Sequence, residues 1–149
     1  MFRWEGVTQS LLRIVSGLLL VCPGGMKLFG WFGGMPPGVA LTPLLVAAGV
    51  IEVVGGSLIL IGLFTRPVAF IVSGEMAAAY FIGHFPRGFL PIQNHGEAAT
   101  LLCFILLFIS ARGPGFLSVD SMLARRATVG AEQGSSLRGA TQAKPRSAA

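Results

Sequence analysis

The sequence predicts an all-α membrane protein built as a polytopic bundle of four transmembrane helices. Of its 149 residues, 53% are hydrophobic and only 11% are charged, and the mean hydropathy is +0.75. A soluble domain of this size needs a far more polar surface. Four apolar stretches, at about 7–30, 41–64, 67–85 and 95–112, have the length that a helix needs to cross a hydrocarbon core of ~30 Å.

The first span, 7–30, is too long for the apolar region of a cleaved signal peptide, and no small-residue cleavage site follows it. One stripe at helical spacing has a cation near each end and small residues between: Arg13, Gly17, Leu20, Gly24 and Lys27. Each cation is open to two interpretations, a partner inside the bundle or snorkelling toward the headgroups.

The second span, 41–64, carries a single acid, Glu52, near its midpoint. An acid at that depth is costly wherever lipid touches it, so it should face protein or water. Small residues lie on the Glu52 side of the helix (Ala48, Gly49, Gly55, Gly56), and larger apolar residues lie opposite (Val50, Val54, Ile61). Because small residues let a second helix approach closely, we predict an interior helix with its acid facing inward.

The third span, 67–85, contains Glu75, and the fourth, 95–112, follows Asn94, which we expect to cap it. A short surface helix is predicted at 118–126, with Ser118 as its cap. These elements make one membrane domain, 1–127. The remaining residues, 128–149, offer almost nothing to bury, so we expect a disordered cytoplasmic tail.

The distribution of cations predicts the orientation in the cell membrane. The net charge is +5. The cations near one end of the spans are Arg3, Arg13, Arg66, Arg112, Arg125 and Arg126, against Lys27 and Arg87 at the other. Both termini are therefore expected on the cytoplasmic side. No basic face with interleaved aromatics is visible, so we expect the lipid bilayer, and not nucleic acid, as the partner. Cys22 and Cys103 are interpreted as small buried hydrophobes without a disulfide between them.

Counting residues from the cytoplasmic edge predicts two polar layers. The inner layer is Arg13 with Glu75 and Glu52, and we expect Arg13 to match Glu75 better in depth. The outer layer is Lys27, His84, Arg87, Asn94, His95 and Glu97. These groups either fix which helices meet or form a pocket for a proton or a small molecule such as a quinone headgroup. No metal is expected, because no histidine has metal-ligand spacing.

The chain resembles the DoxX family of small four-helix membrane proteins between about residues 11 and 120. The pieces that carry the resemblance are LLRIVSGLLL, GGMKLFGWFGG, IEVVGGSLILIGLFTRP, EMAAAYFIGHFPRGFLPIQNHGE and GPGFLSVD. The polar residues of the family's motifs fall on Arg13, Lys27, Glu52, Thr65, Arg66, His84 and Glu97. The chain departs from the pattern at Pro23, where many members have histidine, and at His95, where they have glycine.

This resemblance implies a membrane subunit or partner of a redox complex linked to a quinone, with a redox protein or a second copy of the chain as partner. If the chain is part of an enzyme, it would be a subunit of a quinone-linked oxidoreductase. Two alternatives remain open at this point. One is a proton-coupled carrier for a small solute, based on Glu52 near the midplane. The other is a non-catalytic membrane scaffold whose charges only fix helix packing.

Overall fold

The computed structural model describes residues 4–128, and its regular structure in that range is entirely helical. The helices are α1 (Trp4–Phe29), α2 (Pro43–Ile61), α3 (Thr65–Ala79), α4 (Pro91–Asn94) and α5 (Glu97–Arg112), followed by α6 at 119–128. A π-helical turn, Tyr80–His84, and a 3-10 turn, Phe85–Arg87, continue α3 without a break. The predicted tail lies outside the described residues, except for its first residue.

Three helices of the described chain are long and apolar enough to cross a membrane: Trp4–Phe29, Pro43–Ile61 and Thr65–Arg87. The all-α class and the membrane-spanning character are thus confirmed. The expected fourth span corresponds to α5, which has only 16 residues, so the count of four spans stays a prediction.

Local chemistry explains where α2 begins and ends. The Thr42 hydroxyl accepts a hydrogen bond from the backbone N–H of Leu45, and Pro43 occupies the first turn, where its missing N–H costs nothing. The helix ends at Gly62, whose φ of 75° is left-handed and whose N–H donates to the carbonyls of Leu58 and Ile59. The chain then turns within three residues into α3.

Helices that are neighbours in the bundle pack antiparallel. Helix α1 packs along α2, α2 contacts α3, and α3 packs along α5. The core between them consists of Leu20, Ile59, Ala69, Val72, Met76, Leu102, Leu106 and Ile109. On α2, Gly49, Glu52, Gly55 and Gly56 are buried, whereas Val50, Val54 and Ile61 are exposed. The predicted inward face of this helix is confirmed.

Glycines set the distance between α1 and α2. A Cβ atom on Gly17 would lie 2.7 Å from the carbonyl oxygen of Gly56. A Cβ atom on Gly24 would lie 2.9 Å from the carbonyl oxygen of Gly49. Both distances are shorter than a methyl group tolerates, so only glycine permits this approach of the two backbones.

The segment after α5 folds back onto the turn between α2 and α3. The Ser118 hydroxyl accepts from the N–H of Ser121 at 3.1 Å, which confirms the predicted cap of α6. The Asp120 carboxylate accepts from the N–H groups of Phe64 and Thr65, each at 2.9 Å. Asp120 therefore caps α3, which begins two residues earlier than expected.

Candidate intramembrane polar site

An ion pair joins α1 to α2 deep in the bundle. The Nζ atom of Lys27 lies 2.5 Å from both carboxylate oxygens of Glu52, and the two side chains are 14% and 4% exposed. Lys27 follows Gly24 by one helical turn, on the face that the glycines bring against α2. The burial of Glu52 confirms that it faces the interior. The prediction that Lys27 and Glu52 lie in different polar layers is wrong, because the lysine side chain reaches back along α1 to meet the carboxylate.

Glu75 of α3 lies at the same level as this pair. In the antiparallel register of α2 and α3, Gly55 meets Val72. Moving three residues along each helix brings Glu52 beside Glu75, and Glu75 is within electrostatic range of both Glu52 and Lys27. Its Oε2 atom is buried and has no hydrogen-bond partner among the described residues. Buried polar side-chain atoms nearly always have a hydrogen-bond partner, so this oxygen is an exception.

Helix α5 contributes Thr100 at this level. The register of α3 and α5 is fixed by contacts of Gly96 with Tyr80 and by a hydrogen bond of 2.8 Å from the Ser73 hydroxyl to the Cys103 carbonyl. Between these two contacts, Thr100 comes opposite Met76, the neighbour of Glu75. The Thr100 hydroxyl is also buried without a partner in the described part of the chain. We name Lys27, Glu52, Glu75 and Thr100 the mid-level cluster.

Arg13 does not join the mid-level cluster, contrary to the predicted inner layer. It is 1% exposed, and its guanidinium donates to four backbone carbonyls. The acceptors are Ile59 and Leu60, each at 2.5 Å, Pro114 at 2.8 Å, and Leu117. Ile59 and Leu60 are in the last turn of α2, where carbonyls lack helical partners and carry partial negative charge. The predicted pairing of Arg13 with Glu75 is wrong, because these carbonyls already satisfy the guanidinium.

Part of the predicted outer layer forms a separate network on the π-helical turn. The Nδ1 atom of His84 lies 3.1 Å from the Asn94 carbonyl and 3.3 Å from Nη2 of Arg87. The Asn94 amide donates to the Gly88 carbonyl at 2.7 Å, and the Tyr80 hydroxyl donates to the Phe89 carbonyl at 2.6 Å. Most of these partners are backbone groups, so the network mainly fixes the loop between α3 and α5.

The other outer-layer residues lie elsewhere. His95 and Glu97 are exposed, and Lys27 belongs to the mid-level cluster. Asn94 does not cap α5. Its Oδ1 atom accepts from the N–H of Gly96 at 2.8 Å, and the helix begins one residue later, at Glu97. This difference arises because the positive φ of 57° at His95 turns the chain between Asn94 and the helix.

Two further observations concern metals and thiols. Within residues 4–128, no group of three or more histidine, cysteine, aspartate or glutamate side chains is placed to hold a metal ion. Cys22 and Cys103 are free and partly buried, and the Cys103 sulfur lies 3.7 Å from the Ser73 hydroxyl.

Comparison with known proteins identifies the family of this chain. The DoxX family profile matches residues 8–85, which is half of the chain and includes Lys27, Glu52 and Glu75. The chain belongs to the DoxX family. Thr100 lies outside the part that the DoxX profile matches.

Two relatives extend the similarity across most of the chain. A protein of Haemophilus influenzae described as uncharacterized is 40% identical over 117 residues, covering 75% of this chain and 87% of its own length. A Mycobacterium tuberculosis protein described as an uncharacterized membrane protein is 31% identical over 134 residues, covering 78% of this chain and 82% of its own. No solved structure matches this DoxX protein.

Proposed function

We propose that this DoxX protein is a membrane subunit or partner of a quinone-linked redox complex, with the mid-level cluster as its inward-facing polar site. The observation that carries the proposal is the buried Oε2 atom of Glu75 beside the Lys27–Glu52 pair, since this atom has no hydrogen-bond partner in the described range 4–128. Among residues 4–128, the buried hydroxyls of Thr100 and of Thr65 also lack a hydrogen-bond partner, and only Thr100 lies at the level of Glu75. A network that served structure alone would have its buried polar groups hydrogen-bonded, so two groups without partners at one level indicate a site for a small polar ligand.

The chemistry of a quinone suits these residues. A quinone headgroup offers two carbonyl oxygens. Its reduction takes up two protons and two electrons, and a redox centre of the partner protein would supply the electrons. Glu75, when protonated, can donate to one such oxygen and can hold a proton next to it. The Thr100 hydroxyl can donate to a neighbouring acceptor. The charges of Lys27 and Glu52 neutralise each other, so the pair adds no net charge at this depth of the membrane.

Placement in the cell membrane is part of the proposal. We propose α5 as the fourth span, supported by its packing along α3 and by the apolar side chains that it exposes, among them Leu101, Phe104 and Phe108. Four spans put both termini on one side. The cations at that end predict that side to be cytoplasmic. Reporter fusions at the C-terminus test the orientation, and an extracytoplasmic C-terminus would contradict it.

Extraction in a mild detergent tests the function. Wild-type protein should retain quinone and a redox protein, and Glu75→Leu should lose most of the quinone, because an alkyl side chain cannot donate a hydrogen bond to a quinone oxygen. The matched control is Glu5→Leu, which removes an exposed acid in the first turn of α1. Wild-type protein that is isolated without quinone or partner, with no redox phenotype on deletion, would refute the proposal. Equal loss of quinone in both variants would exclude a specific role of Glu75.

A second candidate function is a proton-coupled carrier for a small solute. The observation that favours it is two acids and one base at the same level in three helices, since such a cluster can exchange a proton during a transport cycle. Flux in proteoliposomes distinguishes the candidates. A carrier should show solute uptake that depends on a proton gradient and that Glu52→Gln abolishes. Unchanged flux in that variant would remove this candidate. If neither quinone nor flux depends on the cluster, the non-catalytic scaffold remains.

A further inference from the structure

We propose that a groove between the end of α2 and α6 binds an anionic phospholipid. The groove has a volume of about 420 Å³, and its walls include Ile61, Phe116, Leu117, Val119, Met122 and Arg125. We name it the α6 groove. It lies at the opposite end of α2 from Lys27 and shares no residue with the mid-level cluster, so the inference is independent of the proposed function.

The lining of the α6 groove suits an acyl chain. Four apolar side chains stand about half exposed on its walls: Ile61 at 46%, Phe116 at 53%, Leu117 at 54% and Met122 at 57%. Ile61 is the last residue of a membrane-spanning helix, so the groove opens where the hydrocarbon core meets the headgroups. Apolar surface at that boundary is covered by lipid in a membrane.

The polar end of the groove suits a phosphate. The guanidinium carbon of Arg125 lies 4.6 Å from the centre of the Phe116 ring, which holds the cation over the groove. No acid of the described chain forms a salt bridge with Arg125, since the ion pair found there joins Lys27 to Glu52. With respect to residues 4–128 its donors are therefore available, and a guanidinium binds a phosphate through two parallel hydrogen bonds.

Two other occupants of the α6 groove, the C-terminal segment of this chain and a second copy of it, are disfavoured by their charge. The sequence beyond residue 128 carries three cations, Arg138, Lys144 and Arg146, against the single acid Glu132, and it has few apolar residues. A second copy of the chain that packed on the same face would place its own Arg125 and Arg126 close to these two cations, which would repel them. An anionic lipid supplies both the apolar chain and the opposite charge.

Native mass spectrometry of the full-length protein in detergent tests this proposal. The probes are phosphatidylglycerol and phosphatidylcholine at equal concentration. Wild-type protein should bind phosphatidylglycerol with roughly fivefold preference, the contribution of one basic residue near a membrane surface. Arg125→Gln should reduce that preference to about one. The matched control, Arg126→Gln, removes the neighbouring cation, which is not on the groove wall, and should keep the preference. Equal helix content by circular dichroism verifies that both variants fold.

Three outcomes would overturn the proposal. The first is a wild-type protein without preference between the two lipids. The second is an equal effect of the two substitutions, which would indicate a diffuse surface charge and no site. The third is a dimer that Arg125→Gln alone dissociates, which would assign the groove to a second copy. Because quinone retention depends on the mid-level cluster, its loss or survival in Glu75→Leu leaves this test unchanged.

Discussion

Replacing Lys27 by methionine tests whether the Lys27–Glu52 pair stabilises the fold through charge. The substitution keeps the length of the side chain and removes its cation, so the Glu52 carboxylate, 4% exposed, is left without its partner and close to Glu75. Breaking a buried pair by removing one partner costs about 3–5 kcal/mol. Because Lys27 is 14% exposed and near the end of α1, it can turn toward the headgroups when Glu52 is replaced. We therefore expect Glu52→Leu to cost less than Lys27→Met.

A double-mutant cycle measures the coupling. The free energy of unfolding is obtained for the wild type, both single variants and K27M/E52L by titration from mild detergent into sodium dodecyl sulfate. The double variant should be more stable than K27M by at least about 2 kcal/mol, because it leaves no unpaired charge and packs two apolar side chains. Additive single effects would show that the pair is not coupled. The reasoning would also be refuted if E52L were the more destabilising single change.

The remaining predictions concern helix packing and capping. Gly17→Ala should lower the free energy of unfolding by about 1–3 kcal/mol, because the new Cβ would lie 2.7 Å from backbone atoms of Gly56 and Leu60. Gly74→Ala adds the same methyl group where no atom lies within 4 Å, so a similar loss in both variants would contradict the reason. Asp120→Ala should cost about 0.5–2 kcal/mol, the usual cost of losing a helix cap, and should speed amide hydrogen exchange of Phe64 and Thr65, its two donors. Unchanged exchange at those amides, with Glu5→Ala as the control, would show that Asp120 does not hold the start of α3.

The helical architecture could be predicted because its determinants are visible in residue types at fixed spacing. Glycine at 17 and 24 in α1, and at 49 and 56 in α2, marks the face along which the helices meet, and the structure buries all four. The valines opposite Glu52 are exposed as expected. Small residues on one face and large apolar residues on the other have one favourable arrangement in a bilayer.

The partners of the charged residues could not be predicted in the same way. Counting depth along each helix placed Lys27 and Glu52 in different layers, but a lysine side chain reaches more than a helical turn from its own Cα. Arg13 has backbone carbonyls as its acceptors, two of them from the irregular segment at Pro114 and Leu117. Carbonyl groups occur at every position, so no residue type in the sequence marks them as partners. Thr100 was missed because a single threonine in an apolar helix usually bonds to its own backbone.

The two ends of α2 use polar groups in different ways, and this difference separates structure from function. Near its C-terminus, the Arg13 guanidinium and the Asp120 carboxylate are satisfied by backbone groups of the turn and of the segment after α5. The fold itself engages both side chains, so these two residues account for structure. The α6 groove at this end is lined by other residues, and the buried Thr65 hydroxyl there also has no hydrogen-bond partner among the described residues. At the level of Glu52, the ion pair is complete, but Glu75 and Thr100 each keep a buried atom that has no partner within the part of the chain that the structure describes. A site that served packing alone would be more stable with apolar residues at both positions. Their presence at a cost to stability is the reason to look for chemistry at this level of the membrane.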